Sequence, residues 1–169
     1  DVCSSDLIAA GFNVAGANYP VVADIKKHVY GKNKGNMEDK TRVGSVYYNR
    51  GVVHGIITVE AIRKAQEKYG KGKALTGEQI RWGFENLNLD DARLKALGAT
   101  GFMPALKITC ADHEGPGKVK FQQWDGSQWK VITDWVDSDR PLVRGMIEES
   151  AAAYAKEKGI KPRDCSKES

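Results

Sequence analysis

From Ser45 to Tyr69 the apolar residues recur every three or four positions, as they do along one long amphipathic helix. Val53, Ile57, Ala61 and Ala65 form one stripe, with Ile56, Val59 and Ile62 beside it. Gly70 and Gly72 stop the helix. An apolar side this wide has to be covered by another layer, so the architecture depends on what the remaining residues supply.

Upstream, residues 8–16 are small and apolar with two glycines, which predicts the tail of a buried strand followed by a bend. Pro20 suits a first helical turn, and Val21, Val22, Ile25 and Val29 follow at helical spacing. Gly31 to Gly35 is a solvated loop, and 36–44 is a polar connection. Downstream, Thr76 is followed three residues later by Gln79, the spacing of a capping box, ahead of Ile80, Phe84 and Leu87. Asp90 or Asp91 caps a short helix that ends at Leu97-Gly98.

After Gly98 the pattern changes. Leu106, Ile108 and Cys110 alternate with polar or small residues, a strand signal. Residues 118–124 and 128–136 flank Asp125-Gly126, a strong hairpin signal. Trp124, Trp129 and Trp135 lie in this stretch. A last helix starts at Ser138 or Asp139, carries Pro141 in its first turn and Val143, Ile147, Ala151 and Tyr154 on one side, and ends at Gly159 ahead of Pro162.

The sum is mostly helices plus a C-terminal β-hairpin region, with too few strands to make a sheet that these helices could cover. The expected class is therefore α/β with an incomplete sheet, its other strands encoded upstream. The opening Asp1–Leu7 supports the same expectation. Read back into codons it fits GAC GTG TGC TCT TCC GAT CTN, the end of a common sequencing adapter. Residues 1–7 are accordingly expected to be a sequencing artefact, with the genuine reading frame starting near Ile8 and any signal peptide lost upstream. Cys3 then drops out, leaving Cys110 and Cys165.

At 169 residues the chain is long enough for one ordinary domain, and its 41% hydrophobic and 28% charged composition is that of a globular protein. No apolar run approaches the roughly 18–20 residues of a membrane span. The net charge is +4, and the basic residues are scattered without a block or a basic helix face, which disfavours a dedicated nucleic-acid partner.

Three stretches are candidates for chemistry. Cys110 to Gly115 (CADHEG) gathers reactive side chains, but His28 and His54 are distant and no His-Glu-x-x-His or Cys-x-x-Cys pattern is present. A tight polar turn is the better reading; a metal site or a Cys-His hydrolase pair are the alternatives. The glycine- and lysine-rich pieces at 31–35 and 70–73 lack phosphate-loop spacing and read as helix stops. Val46 to Gly51 (VYYNRG) places two aromatics, an amide and an arginine at the start of the long helix, where they either line a small-molecule cleft or pack on neighbouring elements. Asn18-Tyr19, just before the first helix, has the same two readings.

In order and spacing these pieces resemble the C-terminal part of the branched-chain amino-acid-binding proteins, the type I substrate-binding proteins of ABC importers. The resemblance rests on Asn18-Tyr19-Pro20, on Val46-Tyr47-Tyr48-Asn49-Arg50-Gly51, on Thr76-Gly77-Glu78-Gln79 and on the hairpin Trp124-Asp125-Gly126-Ser127-Gln128-Trp129. It covers about residues 8–165; the Cys110–Gly115 run is not general to the family. It implies an incomplete type I periplasmic-binding-protein fold, with 8–169 the C-terminal part of a leucine-binding-protein-like domain. Gly11–Gly16 would be a hinge crossing, 17–98 helices of the first lobe, 100–136 strands of the second lobe and 138–160 a tail helix.

The function implied is extracytoplasmic: binding leucine, isoleucine, valine or a similar small polar ligand between two lobes, and delivering it to ABC permease subunits in the membrane. No bond is broken, so no enzyme activity, catalytic residue, cofactor or metal is expected. Tyr19, Tyr47, Tyr48 and Asn49 are the expected ligand-facing residues, with one of Tyr47 and Tyr48 pointing inward. The same fold serves sensors and receptors, which is the alternative. The implied location is the periplasm, where disulfides persist, and with Cys3 set aside a Cys110–Cys165 bond would tie the polar tail to the strand at Ile108–Cys110.

Overall fold

The computed structural model describes residues 7–10, 16 and 18–167. Apart from Gly16, the expected hinge crossing lies outside the described residues, as does Cys3. In chain order the elements are β1 (Leu7–Ala10), α1 (Pro20–His28), α2 (Val46–Tyr69), α3 (Gly77–Glu85), β2 (Asn88–Leu89), α4 (Asp91–Ala96), β3 (Leu106–Lys107), β4 (Lys118–Trp124), β5 (Trp129–Val131), β6 (Val136–Asp137) and α5 (Arg140–Lys158). Close to half of the chain is helical.

Local chemistry sets most boundaries. The Ser45 hydroxyl accepts from the Tyr48 N–H and caps α2. At α3 the capping box is complete: Thr76 Oγ1 accepts from the Gln79 N–H, and Gln79 Oε1 accepts from the Thr76 N–H. Asp90, not Asp91, caps α4, and Asp139 caps α5. Gly98 and Gly159 follow α4 and α5 with φ of +67° and +63°, a left-handed conformation that glycine adopts without a Cβ clash.

α1, α2, α4 and the β2–β3 pair enclose one apolar core. Val22 of α1, Val53 of α2, Leu94 of α4, Leu89 of β2, Leu106 of β3 and Leu87, Phe102 and Met103 from the connecting segments are all buried in it. Burying side chains of this size stabilises the fold by about 1.5–3 kcal/mol each. Ala61 and Ala65 of the predicted stripe are fully buried where α3 crosses α2. Gly83 makes that crossing possible, because a Cβ there would meet the Ala61 carbonyl oxygen at 2.2 Å. Val59, by contrast, is 55% exposed. The alternation at Leu106–Cys110 forms only a two-residue strand, and it pairs with β2 rather than with the hairpin: Asn88 faces Lys107 and Leu89 faces Leu106. Thr109–Asp112 then turns, with two backbone bonds between those residues.

The second sheet is antiparallel and centres on β4. β1 pairs along one edge, from Leu7 opposite Gln123 to Ala10 opposite Lys120. β5 and β6 share the other edge. The hairpin connection has four residues, Asp125–Gln128, rather than a two-residue Asp-Gly turn. Asp125 Oδ1 accepts from the backbone of Ser127 and Gln128, and this Asx geometry closes the longer loop. The chain leaves β5 at Ile132 and rejoins β4 at Val136, opposite Val119. β1, expected as a buried strand, leaves Leu7 and Ile8 exposed, since it packs only edge to edge with β4.

α5 has no buried residue. Cys110 and Cys165 form the expected disulfide, with their Cα atoms 5.6 Å apart.

Candidate functional site

The starts of α1 and α2 come together at Gly16. Its N–H donates to the Gly44 carbonyl at 2.9 Å, just before the Ser45 cap. Asn49, fully buried on the first turn of α2, donates its amide to the carbonyls of Gly16 (3.0 Å) and Gly44 (3.2 Å). Its side chain therefore ties the segment entering α1 to the start of α2. The Val21 N–H of α1 donates to Gly98, which draws the end of α4 to the same place.

The tyrosines around this junction differ in environment. Tyr19, half-buried, sets its ring edge-on to Phe102 with centroids 5.1 Å apart, and burial raises its hydroxyl pKa. Tyr48 points inward against the core, its ring 6.4 Å from that of Tyr30. Burial, together with its hydrogen bond to Tyr30, pushes the Tyr48 hydroxyl upward, so both tyrosines stay neutral donors at physiological pH. Tyr47 is 77% exposed. The four residues singled out from the sequence thus divide: Tyr19 and Asn49 meet around Gly16, Tyr48 packs into the interior, and Tyr47 stands in solvent.

A cavity of about 450 Å³ opens beside this junction, between the helical part and the sheet. Leu94, Met103 and Pro104 contribute apolar wall; Lys118, Lys120 and Trp135 face them. A Cβ at Gly101, on its rim, would come to 4.0 Å from the Tyr19 ring. The Lys120 ammonium sits 4.9 Å from the Trp135 ring centroid, a cation–π contact, and Lys118 pairs with Asp137 at 2.6 Å. Strand parity puts Gln122 on the same face of β4 as these lysines. Gln122 is buried, and neither end of its amide has a partner among the described residues. Leaving such a group unpaired costs about 1–3 kcal/mol. Sequence reasoning passed over this cavity, because its walls come from four separate segments; the alternation of 118, 120 and 122 was the one available signal.

The Cys110–Gly115 run is a turn held by arginines. Arg140 of α5 pairs with Asp112 and donates to the Gly115 carbonyl at 2.6 Å. Arg144, one turn on, pairs with Glu114 at 2.6 Å and donates to the Ala111 carbonyl. Burial disfavours the charged form of Asp112, but the Glu114 N–H and the two arginines outweigh it and lower its pKa. His113 lies 3.4 Å from Glu85, which also takes a two-point contact from Arg163. No group of three or more metal-ligating side chains occurs among the described residues.

The sequence matches no family profile and no curated protein. Two solved structures are similar. One, described as an ABC transporter permease from the Pseudomonas fluorescens group, is 46% identical over 94% of this chain, with a TM-score of 0.89. The other, described as a branched chain amino acid ABC transporter from Thermus thermophilus with bound valine, is 24% identical over 82% of this chain, with a TM-score of 0.59. This chain spans 38% of the first and 35% of the second. No helix among the described residues is long and apolar enough to cross a membrane.

Proposed function

We propose that this chain is the C-terminal part of the extracytoplasmic solute-binding component of an ABC importer, holding a branched-chain amino acid or a similar small polar ligand between two lobes and delivering it to the permease subunits. The observation that carries this reading is the likeness of nearly the whole chain to two ABC-transporter proteins, one of them with valine bound. The split architecture supports it: an apolar-cored helical part and a sheet face each other across a cavity with both apolar and charged walls. Such a cleft can desolvate an aliphatic side chain while pairing charged ends. The Cys110–Cys165 disulfide fits a periplasmic location.

In this reading the starts of α1 and α2 form part of the cleft wall. Tyr19 and Tyr47 offer ring surface and hydroxyls, while Tyr48 and Asn49 shape the wall from behind through Tyr30, Gly16 and Gly44. The role involves no bond-making step and no cofactor.

The test is titration calorimetry of the full polypeptide that contains this chain, against leucine, isoleucine, valine, simple amides, urea and small organic acids. One class should saturate a single site. Replacing Tyr19 or Tyr47 by Ala should weaken that binding by about 1–3 kcal/mol, the scale for a large side chain. The 169-residue chain alone should bind none of them. Absence of binding across the whole panel in the full polypeptide would overturn the reading.

A further inference from the structure

The tail helix is fastened at both ends and bare in the middle. At its start Arg140 and Arg144 are locked onto Asp112, Glu114 and the carbonyls of Ala111 and Gly115. Beyond its end the disulfide joins Cys165 to Cys110, and Arg163 grips Glu85 of α3. The helix therefore cannot roll about its own axis without breaking these contacts. Its fixed orientation leaves Val143, Met146, Ile147, Ser150, Ala151 and Tyr154 around an open hollow of about 600 Å³. Met146 is 63% exposed. A lone exposed apolar residue is ordinary, but an apolar strip interrupted only by Ser150, on a helix with no buried residue, is not.

We propose that this strip is the docking face for an apolar-faced element of the same polypeptide lying outside these 169 residues, and that the arginine clamp and the disulfide hold it ready for that element. The proposal rests on the reading of this chain as part of a longer protein. Length supports an intramolecular occupant: the solved structure that matches nearly all of this chain is well over twice as long, so it carries ample polypeptide that this chain does not align with. The clamp supports it too, because Arg140, Arg144 and Glu148 at the start of α5 are paired within the chain, while the apolar strip has no cover among the described residues.

The chain carries its own reporters, since oxidation of methionine to the sulfoxide follows exposure. Met103 is buried, Met37 half-buried and Met146 exposed. Limited peroxide treatment followed by peptide mass spectrometry, under non-reducing conditions and without ligand, should oxidise Met146 fast in the 169-residue chain. In the full polypeptide Met146 should be slowed several-fold towards the rate of Met103, at protein concentrations where sedimentation shows a monomer. Equal Met146 rates in the two proteins would overturn the proposal. Protection that appears only as a dimer forms would also overturn it, assigning the strip to a second copy. Because no ligand is added, failure of the proposed transport role would leave this result standing, and the reverse also holds.

Discussion

The two ends of this chain are held together by different physics. Every buried hydrophobic side chain among the described residues lies between Val22 and Leu106, within the helical part. From Lys107 onward the buried residues are Gly115 and Gln122. There, backbone ladders, arginine–carboxylate pairs and one disulfide maintain the structure. The first region has its own apolar driving force. The second has exposed ion pairs that fix geometry but contribute little net free energy, together with one covalent cross-link. The helical part should therefore behave as a cooperative unit, and the C-terminal part as a shaped surface that depends on what it docks against.

The largest effect expected is in the core. Phe102→Ala removes a fully buried ring that also supports Tyr19, and should cost about 3–5 kcal/mol in denaturant unfolding of the helical part. A much smaller loss would mean that the core is loosely packed and that the contrast between the regions is overdrawn.

Reducing the disulfide comes next. It closes a loop of 55 residues, for which the chain-entropy treatment gives about 4 kcal/mol as an upper value. The loss should be confined to α5 and the tail. Hydrogen exchange of the 169-residue chain after reduction should speed up at α5 and leave α2 and α3 unchanged. Uniform acceleration would show that the tail stabilises the helical part as well.

The elements this comparison rests on were not equally legible in the sequence. Helix ends were, because capping is local: Ser45, Thr76 with Gln79, and Pro141 with Gly159 act within one turn of their own positions. The α2 stripe was legible as a pattern, although Val59 faces solvent and Ala61 and Ala65 take the tightest contact. The β2–β3 pair was not, because two-residue strands carry no periodicity and are fixed by core residues on either side, Leu87, Leu89 and Leu106. At the candidate site, the meeting of Tyr19 with Asn49 depends on Gly16, and nothing in the spacing of 16, 19 and 49 encodes that approach. The arginine clamp was half visible: Arg140, Arg144 and Glu148 lie at i, i+4 spacing, but their partners Asp112 and Glu114 are known only from the fold.

Acid should separate the two regions further. Arg93 donates twice to Glu60, at 2.7 Å each, and this holds the Glu60 carboxyl below its ordinary value. Arg163 does the same for Glu85, and Asp112 is also lowered. A depressed folded-state pKa gives stabilisation that is complete above the unfolded value, about 3.9 for Asp and 4.3 for Glu, and is lost as pH falls through the lower folded value. Stability should thus be flat near neutrality with respect to these groups and fall below about pH 4. The helical part keeps its apolar core there, so with Trp82 of α3 replaced by Phe, the fluorescence of Trp124, Trp129 and Trp135 should change at higher pH than the helical circular dichroism. Coincident transitions would show a single cooperative unit. Glu60→Gln should flatten part of the acid slope and cost about 1.5–3 kcal/mol at neutral pH, the worth of hydrogen bonds to a charged group.

The smallest effect expected is also the sharpest. Met146→Ala on α5 removes a large apolar side chain that touches little of this chain, and alanine favours the helix slightly more. In the 169-residue protein the change in stability should stay within about 0.5 kcal/mol, as for other surface substitutions. The same substitution in the full polypeptide should cost about 2–5 kcal/mol if the strip is buried there. The comparison needs no ligand and no assumption about transport. A near-zero cost in both proteins would mean that the α5 strip stays bare, and that the clamp merely tethers a tail. A large cost in the short chain would mean that α5 already has an apolar partner within these residues, removing the distinction between the two regions at its clearest point.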